Sequence, residues 1–564
     1  MIEGFNPALI LVFGSLLTLL LQPGLPRQCF MLALPVLGFT QLWGLPYGSH
    51  AEIELFGLSL TTLRVDRLSF VFAVIFHIAA LLTVIYAWSL RDPLQQVVSL
   101  LYPGAALGVV LAGDLVTLFV FWELAAVSSV FLIWARRTRQ AYWAGLRYLM
   151  IQIGSGVLLL GGVILYSRAT GAIAFDHLGF NSPGTLLIFL AFGVKAAFPL
   201  LHTWLQDSYP EATVTGTVAL SAFTTKMAIY ALARGYAGSD ILIVIGTVMA
   251  MFPIFYAVIE NDLRRVLAYS MINQLGFMVV GVGIGTELAL NGAVAHAFAD
   301  IRFKSLLFMS MGAVLLRTGT VNGSDLGGLY KSMPFTTAFC IVGAASISAF
   351  PLFSAFVTKS LIMEAAAREG YQVAWLFLLF ASAGVFHHAG IKIPYFAFFA
   401  HDRGLRCAEA PLNMLVAMGI AAALCIGIGL FPEPLYAMLP YPIDFQPYTT
   451  THVITQLQLL VWSALAFTIL MRTGIYPPEL RSVNLDFDWT YRKLMPRVLR
   501  EYEAAGAQAG AVFNRFVEER VTAFIATLYR HHGPEGRLAR TWPTGSMVLW
   551  VAIILGSSLI FYYF

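Results

Sequence analysis

Apolar runs of about twenty residues, separated by short stretches rich in glycine, proline or charge, recur along almost the whole chain. The clearest cover residues 68–90, 115–134, 145–166, 214–232, 241–259, 292–316, 414–430 and 547–564. With the weaker runs added, the pattern predicts an all-α polytopic membrane protein of about 14–16 transmembrane helices, since one crossing takes about twenty apolar residues. The first run, residues 7–21, has no basic residue ahead of it and is followed by Gln-Pro-Gly and another apolar stretch, so it reads as a retained helix. Arg136, Arg137 and Arg139 follow the 115–134 run. Counting crossings onward places Arg264, Arg265, Arg317 and Lys331 on the same side, which the positive-inside rule makes cytoplasmic.

The pattern changes between residues 474 and 543, where 10 basic and 8 acidic residues fall in 70 positions. That density of charge excludes a bilayer crossing. Within it Phe513, Phe516, Val517, Val521, Phe524, Ile525 and Leu528 recur at helical spacing, with Arg515, Glu518, Glu519 and Arg520 between them. This is an amphipathic helix expected to lie laterally along the membrane surface or along neighbouring helices. The expected organisation is N-terminal helices in 1–67, a first repeat in 68–236, a second in 237–405, additional helices in 406–473, the charged amphipathic segment in 474–543 and a last crossing in 544–564.

Composition narrows the function classes. At 59% hydrophobic and 11% charged, with a mean hydropathy of +0.77, the chain excludes a soluble enzyme or nucleic-acid binder. The net charge of +4 points to no polyanionic partner. Cys29, Cys340, Cys407 and Cys425 are far apart and form no CxxC pair, so neither a metal site nor an iron-sulfur cofactor is expected. His387 and His388, adjacent on a helix, point about 100° apart and make a poor metal pair.

Lysine usage carries the chemistry. Of seven lysines, Lys195, Lys226, Lys304, Lys359 and Lys392 lie within or at the edge of apolar runs. A mid-bilayer lysine costs about 2.5–3.5 kcal/mol on insertion scales, so five of them imply function. A desolvated lysine can also give up its proton near neutral pH, which arginine resists. Proton relay is therefore expected. Glu123 sits in LFVFWELAAVSSVFLIW with no other ionisable residue in that run. It is expected to pair with a lysine of a neighbouring helix, and opening the pair would release the lysine proton. Lys195 precedes Pro199 and Lys392 precedes Pro394, so both prolines are expected to break helices, the mark of inverted-repeat transporters. His296, Asp300 and Lys304 share one helix face at four-residue spacing and extend the path, with His202 and His388 as accessory groups. Arg302 lies off that face.

FVFWEL, GVKAAFPLLHTWLQDSYPEA, TTKMAIYALAR, DLRRVLAYSMINQLGFM and FKSLLFM fall within residues 68–399. Together they resemble the antiporter-like subunits shared by respiratory complex I and Mrp-type Na+/H+ antiporters, and are most like the D-type Mrp subunit. The resemblance implies two inverted five-helix repeats, each with a broken helix. It makes Glu123 the family glutamate, Lys195 the broken-helix lysine, Lys226 the bridging, Lys304 the central and Lys392 the terminal lysine. Two departures stand out. Asp300 occupies a position where the family often has a histidine, and EATVTGTVAL lacks the usual prolines.

The expected function is a proton-translocating subunit of a multisubunit cation(Na+)/H+ antiporter or related ion-coupled complex in the cytoplasmic membrane. Its partners would be other integral membrane subunits, and the sequence leaves open whether Na+ moves as well as protons. The alternative is an energising subunit of a two-component inorganic carbon uptake system, or of a redox-driven enzyme of the complex I or hydrogenase type, without a redox centre of its own.

Overall fold

The computed structural model describes residues 5–55, 57–481 and 484–564. Among these, ten helices are long and apolar enough to cross a membrane. Shorter apolar helices, Pro7–Leu20, Pro183–Lys195 and Pro334–Ile347, add to them. The 32-residue helix Glu287–Thr318 is almost wholly buried in the bundle yet is absent from the ten, because Asp300, Arg302 and Lys304 interrupt its apolar run. The chain is a multi-pass membrane protein.

Two copies of one five-helix pattern make the core. The first consists of Pro93–Leu111, Leu115–Trp134, Arg139–Thr170, the broken pair Pro183–Lys195 and Thr203–Ser208, and the pair Val214–Ala222 and Thr224–Gly235. The second consists of Asp240–Ile259, Leu263–Ile284, Glu287–Thr318, the broken pair Pro334–Ile347 and Ser354–Arg368, and Gln372–Phe399. The copies match in local detail. Pro103 and Pro253 lie inside the first helix of each. Asp114 and Asp262 cap the second helix, each accepting two backbone N–H bonds that would otherwise go unmet. Each forms an isolated bridge, Asp114 to Ala174 and Asp262 to Asn322. The third helix is 32 residues long in both and ends on a left-handed glycine, Gly171 or Gly319. An odd number of crossings separates corresponding helices, so the copies run in opposite senses. The helix Arg67–Tyr86 stands outside this pattern, which starts at Pro93 rather than at residue 68.

Residues 1–67 hold more than helices. Gly48–Leu55 and Leu58–Val65 pair as an antiparallel hairpin, and its second strand buries Leu60, Leu63 and Val65. The chain divides into two compact units, Met1–Asn484 and Leu485–Phe564. The second unit contains the 38-residue helix Met495–His532 and the apolar helix Thr544–Tyr563. In Met495–His532 the predicted stripe from Phe513 to Leu528 is exposed.

Candidate functional site

The first break is built by Ala197-Phe198-Pro199-Leu200. Pro199 cannot supply a helical N–H, and Ala197 and Leu200 adopt φ of 62° and 71°, which reverses the chain. Phe198 N–H closes the end of the upstream helix on Gly193 O at 3.0 Å, and the Trp204 indole donates to Val194 O at 2.9 Å. Lys195 is the last residue of that half-helix, where carbonyls left without partners favour a cation.

The second break differs from expectation. Pro394 does not break its helix; residues Gln372–Phe399 run on as one helix, widened into π turns at Phe386–Ile391 and Tyr395–Phe399. A π turn tolerates the missing donor by shifting the hydrogen-bond register around proline. The break falls instead at Ala349-Phe350-Pro351-Leu352, a second copy of the same four residues, with Ala349 and Leu352 at φ of 55° and 74°. Phe350 N–H bonds Ala345 O at 3.1 Å, repeating the closure of the first break. The lysine of this broken helix is Lys359, which donates to Ile347 O, the end of the upstream half, at 3.4 Å.

Glu123 and Lys195 interact electrostatically, yet no direct ion pair joins them. The Lys195 ammonium donates to Trp122 O at 2.7 Å and lies 4.5 Å from the centre of the Trp122 indole. The neighbouring backbone and ring have taken the place expected for the carboxylate. Trp122 is held in turn by Ser155, whose hydroxyl reaches Ala191 O. The Glu123 carboxylate lies against Gly156, where a methyl group would overlap it, and its Oε1 is buried without a hydrogen bond.

The direct ion pair of the core is Lys226 with Asp300, 2.6 Å apart, both fully buried. Lys226 also donates to Ser221 O across the joint between its two half-helices, at 3.0 Å. Asp300 interacts electrostatically with Lys304 and Lys359 as well. It is the hub of three lysines, a role its spacing to Lys304 alone did not reveal. His296 bridges Gln274 Oε1 and Thr358 Oγ1, each at 3.1 Å, and Thr358 adjoins Lys359. Gln274 continues to Asn273 at 2.6 Å. Lys226, Asp300, Lys304, His296 and Lys359 thus form one buried chain across the middle of the bundle. Beyond it a cavity of about 870 Å³ is lined by Lys359, Ser360, Glu364, Asp444, His452 and Gln456. The helix Ser354–Arg368 runs away from Lys331, so this cavity opens on the face opposite the arginines.

Lys392 sits apart, at the arginine-lined end. Its ammonium donates to Ala257 O at 3.3 Å, Val258 O at 2.7 Å and Glu260 O at 2.6 Å, and pairs with Glu479 at 3.0 Å. Glu479 lies outside the spans, and burial holds its carboxyl above the ordinary glutamate range against the opposing pull of Lys392. His388 is buried and interacts with both Lys304 and Lys392. His202 is buried against the Phe252 ring, 4.6 Å between centres. Arg302 is buried with its guanidinium 4.1 Å over Phe298. Sequence reasoning missed Gln274, Thr358, Glu479 and the second break; of these the repeated Ala-Phe-Pro-Leu was the available signal.

Residues 112–386 match the family model described as NADH:quinone oxidoreductase/Mrp antiporter, TM. The chain is 29% identical over 464 residues to the A-type Na+/H+ antiporter subunit of Alkalihalophilus pseudofirmus, covering 73% of this chain and 57% of the relative. It is 28% identical to hydrogenase-4 component B of Escherichia coli, covering 75% of this chain and 71% of the relative. In fold it is similar to a chain of an archaeal membrane-bound sulfane sulfur reductase, with a TM-score of 0.70, 24% identity and coverage of 98% and 99%. The motifs pointed to the D-type Mrp subunit, whereas these named relatives are an A-type subunit and a hydrogenase component. The chain spans little more than half the length of the A-type antiporter subunit. Residues 112–386, which hold most of the duplicated broken-helix core, are thus similar to the membrane domain common to NADH:quinone oxidoreductases and Mrp antiporters.

Proposed function

We propose that the chain is a proton-translocating subunit of a multisubunit membrane complex, working with other integral subunits in the cytoplasmic membrane. One observation carries this reading: five ionisable groups, Lys226, Asp300, Lys304, His296 and Lys359, form a buried chain that ends on a cavity open to the face opposite the arginines. Buried ionisable groups in spans are costly, and a chain of them with bridging amides and hydroxyls suits stepwise proton transfer. Asp300 is the switch. Its carboxylate pairs with Lys226 and also interacts with Lys304 and Lys359, so a turn of that one side chain moves the counter-charge from one lysine to another. Glu123 and Lys195, coupled through space beside Trp122, set the charge state at the other end.

Lys392 is assigned a different role. Four acceptors surround an ammonium with three protons, which ties Glu479 to the ends of neighbouring helices. It anchors the arginine-lined end rather than exchanging protons there.

The resemblance to the A-type antiporter subunit favours exchange of Na+ for protons as the driving process. The greater share of hydrogenase-4 component B that the chain spans favours a second reading, in which a redox reaction in partner subunits drives the same path. Both share one test. The tagged complex is purified, its subunits identified, and proton flux measured in proteoliposomes of wild type and Lys226→Ala. Flux lost in the variant with the complex intact supports the path, equal flux in both removes it, and the co-purifying subunits distinguish a redox enzyme from an antiporter.

A further inference from the structure

The lysine chain leaves Arg302 without a role. Its side chain is 1% exposed, and its Nε and Nη2 atoms have no hydrogen-bond partner. The Phe298 ring covers one face of the guanidinium. Among the described residues no carboxylate pairs with it, and the titratable group that acts on it is the Cys425 thiol of the helix Leu412–Leu430. Arginine keeps its proton in proteins, and a buried charge without a counter-charge is costly, so this guanidinium calls for a partner.

The gap of the second break lies beside it. His296 and Thr358 meet at 3.1 Å, which sets Glu287–Thr318 against the downstream half Ser354–Arg368. The two helices run in opposite senses, so Arg302 and Ser354 both lie toward the arginine-lined face from that contact, by about 9 Å and about 6 Å on the helical rise. The Arg302 side chain folds back one turn onto Phe298, which brings its guanidinium to the level of Ser354. Cys425 joins the group: its thiol interacts with Arg302 and faces the hydroxyls of Ser346 and Ser354, one from each half of the broken helix. Both hydroxyls are buried and have no hydrogen-bond partner. Gly429, one turn beyond Cys425, packs on Leu352 O and Phe353 with no room for a methyl group, so Leu412–Leu430 closes over the gap.

The two sides of the gap differ in electrical sense. On the upstream side the free carbonyls favour a cation, and Lys359 donates to Ile347 O there. On the downstream side the helix starts at Ser354 with no side-chain cap, and its leading N–H groups favour an anion. Discontinuous membrane helices hold anionic groups at such half-helix starts.

We propose that the gap of the second break binds a small monovalent anion of the halide class. Its ligands are Arg302 Nε and Nη2, the Ser346 and Ser354 hydroxyls and the first N–H groups of Ser354–Arg368. Each of these groups can donate and none carries negative charge, a set that suits an anion and repels a cation. Water could serve the hydroxyls but supplies no counter-charge to the guanidinium. A partner subunit's carboxylate cannot reach Arg302, which is buried within this chain. The two hydroxyls come from the two halves, so the anion bridges the break whose downstream half carries Lys359.

The site does not rest on the transport reading, and its test needs no flux. The complex is purified in sodium gluconate, and binding of radiolabelled chloride is measured by equilibrium dialysis at constant ionic strength. Wild type is expected to show one saturable site per chain, for which bromide competes and sulfate does not. Arg302→Met removes the guanidinium at similar volume and should abolish that site. Ser346→Ala/Ser354→Ala keeps the charge but removes two donors to the anion, and should weaken binding about tenfold or more. Chloride should raise the thermal midpoint of wild type and leave that of Arg302→Met unchanged. Should Arg302→Met fail to assemble, the serine double variant decides alone. Equal affinity and stoichiometry in wild type and the double variant overturn the site. So does the lack of any saturable chloride binding in wild type, which would assign the two hydroxyls to water.

Discussion

Replacing Asp300 with asparagine removes one charge from the centre of the molecule while keeping its volume. Lys226 lies 2.6 Å away and both side chains are fully buried, so the variant leaves an ammonium with no counter-charge in a low-dielectric setting. Breaking a buried pair in this way costs about 3–5 kcal/mol. Lys304 and Lys359 also interact with Asp300, so the loss is not confined to one lysine. The thermal midpoint of the purified complex should fall, and proton flux in proteoliposomes should drop at least a hundredfold, because the path loses its hub. The double variant Lys226→Met/Asp300→Leu removes both charges and replaces them with apolar groups of similar size, a change that buried pairs often tolerate. It should recover most of the midpoint and none of the flux, with an interaction term well above the ~0.5 kcal/mol seen between independent sites. A wild-type midpoint and wild-type flux in Asp300→Asn would show that the pair neither holds the fold nor carries the proton.

Gly156→Ala should displace the Glu123 carboxylate and slow transport without loss of assembly, whereas Gly154→Ala, whose added methyl meets nothing within 4 Å, should leave flux unchanged; paired flux measurements check this. Ala197→Gly and Ala349→Gly should raise the thermal midpoint, reversing the usual sign of Ala→Gly, because an alanine at φ of 62° or 55° carries about 1–2 kcal/mol of strain that glycine lacks. Lys392→Met should lower the yield of assembled complex while the assembled fraction transports within about twofold of wild type, by the same loss of a buried partner; flux abolished at full assembly would return Lys392 to the path. Ending the chain at Asn484 removes the second compact unit and should reduce association with partner subunits on native gels while the first unit still inserts.

Hydropathy made the spans legible, since a bilayer crossing imposes a length and an apolar composition that survive any tertiary context. The lysines were legible for the converse reason, being expensive where they stand. Partnership was not. Spacing along a helix shows which residues share a face, but Lys226 and Asp300 meet from different helices, and Lys195 found a carbonyl and an indole in place of Glu123. Proline beside lysine was a misleading sign at Lys392, because a π-widened helix can carry Pro394 without breaking. The dependable sign was longer. Ala-Phe-Pro-Leu occurs at both breaks, and in each the residues flanking Phe-Pro take left-handed φ.

The duplication also shows where the two halves parted. In each repeat the final helix carries a lysine, Lys226 in one and Lys392 in the other. Inverted topology sets the copies in opposite senses, so equivalent positions meet different surroundings. Lys226 meets a carboxylate that other lysines can claim, so its counter-charge can move. Lys392 meets three carbonyls fixed by the end of the helix Asp240–Ile259 and by Glu260, together with Glu479. Backbone carbonyls cannot swing to another lysine, so the acceptors of the second site stay with Lys392. The chemistry that distinguishes a transport lysine from an anchoring one therefore lies in its acceptors: a shared, movable carboxylate in the first repeat and a rigid ring of carbonyls in the second.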